Sequence, residues 1–244
     1  MIEILKAVKY IINKAENRVK PKREYDQFYA TEITLIKRIK LLSKFKFEKI
    51  IFLGDDDLNS LCLGYYKKLK KEKAEIFVLD IDKDQIDFIE KISEEENLEI
   101  KTIYQDIRDA LPKDLKNFDL AFFDPPYTPN AVKIWLIRAL EILLGSGTNK
   151  ERKDYNFLKN KYIFMCYGYT DKSLERGLKI QKIISDLGLI VQAKYRKFNK
   201  YTGAESINNE SDLYIIQPTP KVNLKEIDYW KNKKIEEKIY TYEV

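Results

Sequence analysis

The chain has 244 residues, 45 basic and 39 acidic, for a net charge of +6, and no histidine. That length can bury one good core with a small appendage, and the missing histidines exclude any histidine-based metal site or general base. A hydrophobic share of 44% fits a globular protein; no apolar run approaches the roughly 20 residues that span a bilayer, and no signal-peptide pattern opens the chain. The basic excess is spread along helix patterns (Lys67, Lys68, Lys70, Lys71, Lys73) and forms no arginine-rich patch. It reads as a solvated, heat-adapted surface, with neither a nucleic-acid footprint nor a membrane partner expected. Cys62 and Cys166 sit in apolar segments without CxxC spacing, which suits reduced core thiols in a cytoplasmic protein.

Taken in chain order, residues 2–17 give a helix with Ile4, Leu5, Val8, Ile11, Ile12 and Ala15 on one stripe, which packs on the domain or forms a homodimer. A basic connector with Pro21 follows, making residues 1–24 an N-terminal helix and linker. From about residue 32 helix and strand patterns alternate. Helices are predicted near 32–44, 57–71, 83–95, 129–144 and 173–187; strands near 49–53, 75–80, 99–104, 119–123 and 161–167. Such alternation predicts an α/β fold, a doubly wound and mostly parallel sheet covered by helices on both faces. The last two strands, near 189–197 and 211–217, are joined by a polar stretch without a crossover helix and read as an antiparallel edge hairpin. Gly145–Asn160 reads as a loop. Residues 219–244, with Tyr229, Trp230, Tyr240 and Tyr242, form a tail that either closes over the site or stays unstructured.

In doubly wound sheets ligands bind beyond the carboxyl ends of the strands, and this chain puts polar residues there. The first strand ends in Gly54-Asp55-Asp56-Asp57, where a nucleotide-binding fold usually places glycines and backbone N–H groups to cradle an anion. Three consecutive carboxylates repel an anionic ligand end and attract a cationic one. The second strand ends in Asp80-Ile81-Asp82, and Asp80 lies 26 residues after Gly54, close to the spacing of a ribose-binding acid. Asp106 follows the third strand and can accept from an adenine amino group or cap a turn. The fourth strand delivers Asp124-Pro125-Pro126-Tyr127-Thr128: two prolines fix the backbone, the acid orients a nitrogen lone pair, and the aromatic face stabilises positive charge.

In these segments the chain resembles a known family. Residues from Tyr25 through about Pro218 are similar to the catalytic domain of the branched-chain polyamine synthases, the N(4)-bis(aminopropyl)spermidine synthase family. The likeness is carried by Asp26-Gln27-Phe28-Tyr29-Ala30-Thr31, Phe52-Leu53-Gly54-Asp55-Asp56-Asp57-Leu58, Val78-Leu79-Asp80-Ile81-Asp82, Asp106-Ile107-Arg108, Asp124-Pro125-Pro126-Tyr127-Thr128 and Ser211-Asp212-Leu213-Tyr214. Asp-Pro-Pro-Tyr alone is shared with amino-methyltransferases; its pairing with Gly-Asp-Asp-Asp is distinctive. The family carries an N-terminal winged-helix-like domain, whereas fewer than 25 residues precede the match here.

The resemblance implies a seven-stranded class I adenosylmethionine-dependent transferase fold of Rossmann-like type. It also implies aminopropyl transfer from decarboxylated S-adenosylmethionine to the internal nitrogen of spermidine or a related polyamine, releasing methylthioadenosine, with no metal. Gln27, Gly54, Asp55, Asp80, Ile81, Asp106, Ile107, Asp124 and Pro125 are then expected to hold the donor. Phe28, Tyr29, Asp57, Pro126, Tyr127 and Trp135 are expected around the acceptor. Asp55, Asp56, Asp57 and Asp124 are the candidate bases, with Tyr127 beside the reacting amine. The rival readings are an S-adenosylmethionine-dependent amino-methyltransferase acting on a nucleic-acid base, and a catalytically inactive polyamine- or nucleic-acid-binding protein.

Overall fold

The computed structural model describes residues 1–241. Its helices are α1 (Ile2–Lys14), α2 (Glu32–Leu42), α3 (Asn59–Lys70), α4 (Lys83–Glu96), α5 (Pro129–Leu144), α6 (Tyr155–Leu158), α7 (Leu174–Asp186) and α8 (Leu224–Trp230). The strands are β1 (Lys49–Leu53), β2 (Glu75–Asp80), β3 (Lys101–Tyr104), β4 (Leu120–Phe123), β5 (Tyr162–Tyr167), β6 (Leu189–Lys200) and β7 (Glu210–Pro218). They form one seven-stranded sheet in the order β3-β2-β1-β4-β5-β7-β6. β1 to β5 run parallel, and β7 lies antiparallel between β5 and β6. This is the class I methyltransferase-like α/β fold, with the antiparallel pair closing one edge.

The central strands are buried on both faces, which is why they read as unbroken apolar runs. Alternate residues of β1 enter opposite cores: Ile50 and Phe52 join the cluster under α1 to α4, while Ile51 and Leu53 join the one under α5, α7 and α8. The stripe of α1 (Ile4, Ala7, Val8, Ile11) is spent inside the first of these cores against α2 and α3.

Two stretches differ from the sequence expectation, and the tail meets the first of its two alternatives, reaching the cavity. Gly145–Asn160 contains a 3₁₀ turn (Glu151–Lys153) and α6, anchored by buried Arg152, which donates to Asp228 at 2.9 Å. β6 runs on to Lys200, so the connection to β7 is shorter than the polar stretch suggested. The tail forms α8 and then packs Ile235 and Ile239 into the core. Buried Arg138 on α5 ties it down, donating to the carbonyls of Trp230 (3.2 Å) and Lys233 (2.7 Å). Tyr242 lies outside the described residues. No helix among the described residues is long and apolar enough to cross a membrane.

Candidate active site

The carboxyl ends of β1, β2 and β4 converge on a cavity of about 380 Å³, within the size range of small-ligand sites. Order reverses there, since β1 continues on one side to β2 and on the other to β4. Gly54 opens the loop with a φ of +83°, a backbone state that a residue with a Cβ adopts only under strain, and donates to the Leu79 carbonyl at 2.8 Å.

The following aspartates do three different things. Asp55 turns back into α3, accepting from the backbone N–H groups of Asn59 and Ser60 (both 2.8 Å) and from Asn59 Nδ2 (3.0 Å). It caps that helix and lies outside the cavity lining. Burial pushes its carboxyl up to about 7 despite those donors. Asp57 turns the other way, accepting from the Ala30 N–H (2.5 Å) and from Arg38 Nη1 (2.6 Å), and is also outside the lining. Only Asp56 faces the cavity. Among the described residues no hydrogen bond or ion pair engages its carboxylate. Burial, then the neighbouring acids Asp57, Asp124, Asp80 and Asp55, hold its carboxyl well above the usual range. The expectation of three carboxylates facing one ligand is therefore corrected to one. A tight turn sends consecutive side chains in different directions, and helix capping and an arginine claim the outer two.

Asp80 lines the cavity and accepts from the N–H groups of Asp55 (3.0 Å) and Asp82 (2.9 Å). Burial raises its carboxyl to about 6, and those N–H groups oppose the rise. Ile81, Ile107 and Pro125 line the same space. Gln27 lines it too, its side chain accepting from the Lys22 N–H and donating to Asp82. Asp106 does not line it: both of its oxygens accept from Arg108 Nε (3.1 and 3.0 Å), and the second also from Nη2 (2.6 Å). This corrects the expectation that Asp106 meets an adenine, because the arginine two residues on takes up the carboxylate.

Beyond β4, Asp124 stands at the centre of a hydrogen-bonded set. Its Oδ1 accepts from the Tyr127 hydroxyl (2.8 Å), and its Oδ2 from Arg38 Nη2 (2.8 Å) and the Tyr201 hydroxyl (2.5 Å). Burial raises its carboxyl, while the Arg38 guanidinium pulls it back down. Burial also lifts the Tyr127 phenol far above its ordinary value, with the Asp124 charge adding to this. Phe28, Pro126 and Tyr127 form the neighbouring wall, and Trp135 lines the cavity while donating its Nε1 to the Leu53 carbonyl at 3.1 Å. Tyr29 is the exception: its ring centroid lies 3.2 Å from the Arg18 guanidinium, off the lining, and its buried hydroxyl has no hydrogen-bond partner among the described residues.

The sequence reading missed several contributors. Arg38, fully buried on α2, stands on that helix's apolar stripe with Leu35, Ile39 and Leu42, and a lone arginine there was a legible signal. Tyr201, Ala204 and Ile207 come from the β6–β7 connection and carried no pattern. Tyr240 and Thr241 reach the cavity from the tail, held where Thr241 N–H donates to Asp26 at 2.7 Å and the Ile239 carbonyl accepts from Thr128 at 2.9 Å.

Residues 3–243 match the family model described as the branched-chain polyamine synthase A C-terminal domain. An uncharacterized Methanocaldococcus jannaschii protein (MJ0675) is 34% identical over 221 residues, covering 88% of this chain and 49% of its own. The N(4)-bis(aminopropyl)spermidine synthases of M. jannaschii and Thermococcus kodakarensis are 34% and 31% identical, each over 82% of this chain and 53% of its own. The chain thus spans about half the length of the curated relatives it matches. Among solved structures, the branched-chain polyamine synthase of Thermus thermophilus in complex with N4-aminopropylspermidine and 5'-methylthioadenosine superimposes with a TM-score of 0.75 at 20% identity. That match covers 96% of this chain and 68% of the other. A Pyrococcus horikoshii protein described as a putative RNA methyltransferase gives 0.61 at 14%, over 90% of this chain and all of the other. This chain belongs to the branched-chain polyamine synthase family, whose C-terminal domain it matches along nearly its whole length.

Proposed function

We propose that this domain transfers an aminopropyl group from decarboxylated S-adenosylmethionine to an amine of spermidine or a related polyamine, releasing methylthioadenosine. Asp56 carries the reading: it is a cavity carboxylate with no cation among the described residues, at the turn after β1 where an intact methionine would bring its own carboxylate. Two like charges there are unfavourable, whereas the ammonium arm of the decarboxylated donor is attracted. The same feature argues against an amino-methyltransferase, which needs a loop hospitable to a carboxylate. The relatives named N(4)-bis(aminopropyl)spermidine synthase, and the Thermus structure with its bound branched product and methylthioadenosine, support the same chemistry.

In this reading Asp80 takes the ribose hydroxyls, and Ile81 and Ile107 flank the nucleoside. Asp124 accepts an N–H of the attacking amine and so directs its lone pair at the methylene carbon beside the sulfonium. That carbon–sulfur bond breaks as the carbon–nitrogen bond forms, the electron pair staying on sulfur as methylthioadenosine leaves. Asp124 or Asp56 receives the amine proton, and burial, which raises both carboxyls, makes them better bases than a free aspartate. Tyr127, Phe28 and Trp135 offer aromatic faces to the positive charge, each worth about 0.5–2 kcal/mol. Incubation with spermidine and decarboxylated donor, read by mass spectrometry, tests this. One or two added aminopropyl units with stoichiometric methylthioadenosine are expected. Methyl transfer from S-adenosylmethionine to a nucleic-acid base, without aminopropyl products, would overturn it.

A further inference from the structure

Arg38 links more of this site than any other side chain described above. Its guanidinium is fully buried and donates from Nη1 to Asp57 (2.6 Å), from Nη2 to Asp124 (2.8 Å) and Tyr201 (3.2 Å), and from Nε to Asn199 (2.9 Å), with Cys166 Sγ 3.5 Å from Nη2. Those partners come from the loops after β1 and β4, from β5, from the end of β6 and from the residue just beyond it. Asn199 passes the linkage on to Ser211 at 2.9 Å, and Ser211 meets the Tyr201 hydroxyl at 2.7 Å. A planar fork can bridge two carboxylates at once; an ammonium on a flexible stem holds no such plane.

We propose that Arg38 is the positioning residue of this site, bridging Asp57 and Asp124 so that the plane of Asp124 is fixed towards the acceptor, while Asp56 is left as the cavity carboxylate that no hydrogen bond or ion pair among the described residues engages, open to the donor's cationic arm. The inference rests on the aminopropyl-transfer reading for its catalytic meaning, but not for its geometry. With both Asp124 Oδ2 contacts taken by Arg38 and Tyr201, and Tyr127 on Oδ1, the carboxylate cannot rotate. The lone-pair capacity left on Oδ1 is then directed at one place. The charged and titratable groups facing Asp124 are Arg38 from α2, Asp56 and Asp57 from the β1 loop, Cys166 from β5, and the phenols of Tyr127 and Tyr201. Arg38 is the one cation in that set. Removing it should make Asp124 harder to ionise, and removing the Asp57 charge should make it easier.

The test titrates Asp124 directly by carbon-13 NMR of labelled aspartate carboxyls, assigned with Asp124→Asn, in the wild type, Arg38→Gln, Asp57→Asn and the double variant. The expected result is a midpoint raised by about 1–3 pH units in Arg38→Gln, lowered in Asp57→Asn, and close to wild type in the double variant. Arg38→Lys keeps a charge should the glutamine variant not fold; it is expected to titrate near wild type yet lose turnover, because one ammonium cannot hold both acids in plane. The acid limb of kcat against pH should move with the NMR midpoint. Midpoints unmoved in Arg38→Gln and Asp57→Asn, or full turnover in Arg38→Lys, would overturn the assignment. Wild-type protein that titrates as expected but releases no methylthioadenosine would instead sink the functional reading and leave the linkage standing.

Discussion

Asp56→Asn tests the proposal that this carboxylate sets donor choice. The substitution removes one negative charge and keeps nearly the same shape, at a position where no hydrogen bond or ion pair among the described residues is lost. Asp55 and Asp57 cannot replace it, because one caps α3 and the other is held by Arg38. A unit charge seated about 4 Å from Asp56 interacts by about 1 kcal/mol in a water-like medium and about 4 kcal/mol at an effective dielectric near 20. That corresponds to roughly 5- to 1000-fold in relative affinity for an arm with or without its carboxylate. The half-buried position of Asp56 puts the effect between these limits. Calorimetry with decarboxylated and intact S-adenosylmethionine measures the ratio of Kd values, and methylthioadenosine, which has no charged arm, controls for an intact nucleoside site. The asparagine variant should bind methylthioadenosine normally while the ratio collapses by that factor. A ratio unchanged from wild type would refute the idea that Asp56 faces the arm.

Three further outcomes are expected. Asp124→Asn should leave the thermal transition within a few degrees of wild type and abolish methylthioadenosine release in a turnover assay, since the amide cannot take up the amine proton. The ligand-free protein should lose stability as pH rises: Asp55 and Asp80 carry folded-state values near 7 and 6 against 3.8 unfolded, so their contribution is fully present below about pH 4 and is lost on rising through pH 6–7. Scanning calorimetry from pH 4 to 8 reads this fall in Tm, and Asp55→Asn, which keeps a helix-capping residue, should flatten part of it. Tyr240→Ala should weaken methylthioadenosine binding by roughly 2- to 10-fold, the loss of one aromatic contact in the cavity wall, and lower Tm as well, since the ring also packs against the core and Tyr25.

The alternation of helix and strand was legible in the residues because it rests on local periodicity. Four central strands buried on both faces must read as apolar runs, and each amphipathic helix must repeat near 3.6 residues. The parallel order and the antiparallel closing pair follow from connection length and sequence of elements. The carboxylates at the strand ends were legible for the same reason, since a strand's end fixes where its next residue emerges. Side-chain direction within a turn has no period, so nothing local showed that Asp55 would cap α3, that Asp57 would turn to Arg38, or that Asp106 would close on Arg108. Contacts spanning 86 residues, as from Arg38 to Asp124, and the return of Tyr240 to the cavity exist only once the chain has packed. The sequence by itself placed acidic residues at the β1, β2 and β4 ends; only tertiary packing decided that Asp56 faces the cavity while Asp55 turns to the α3 N–H groups and Asp57 to Arg38, because side-chain direction in a tight turn is set by the partners that packing brings within reach.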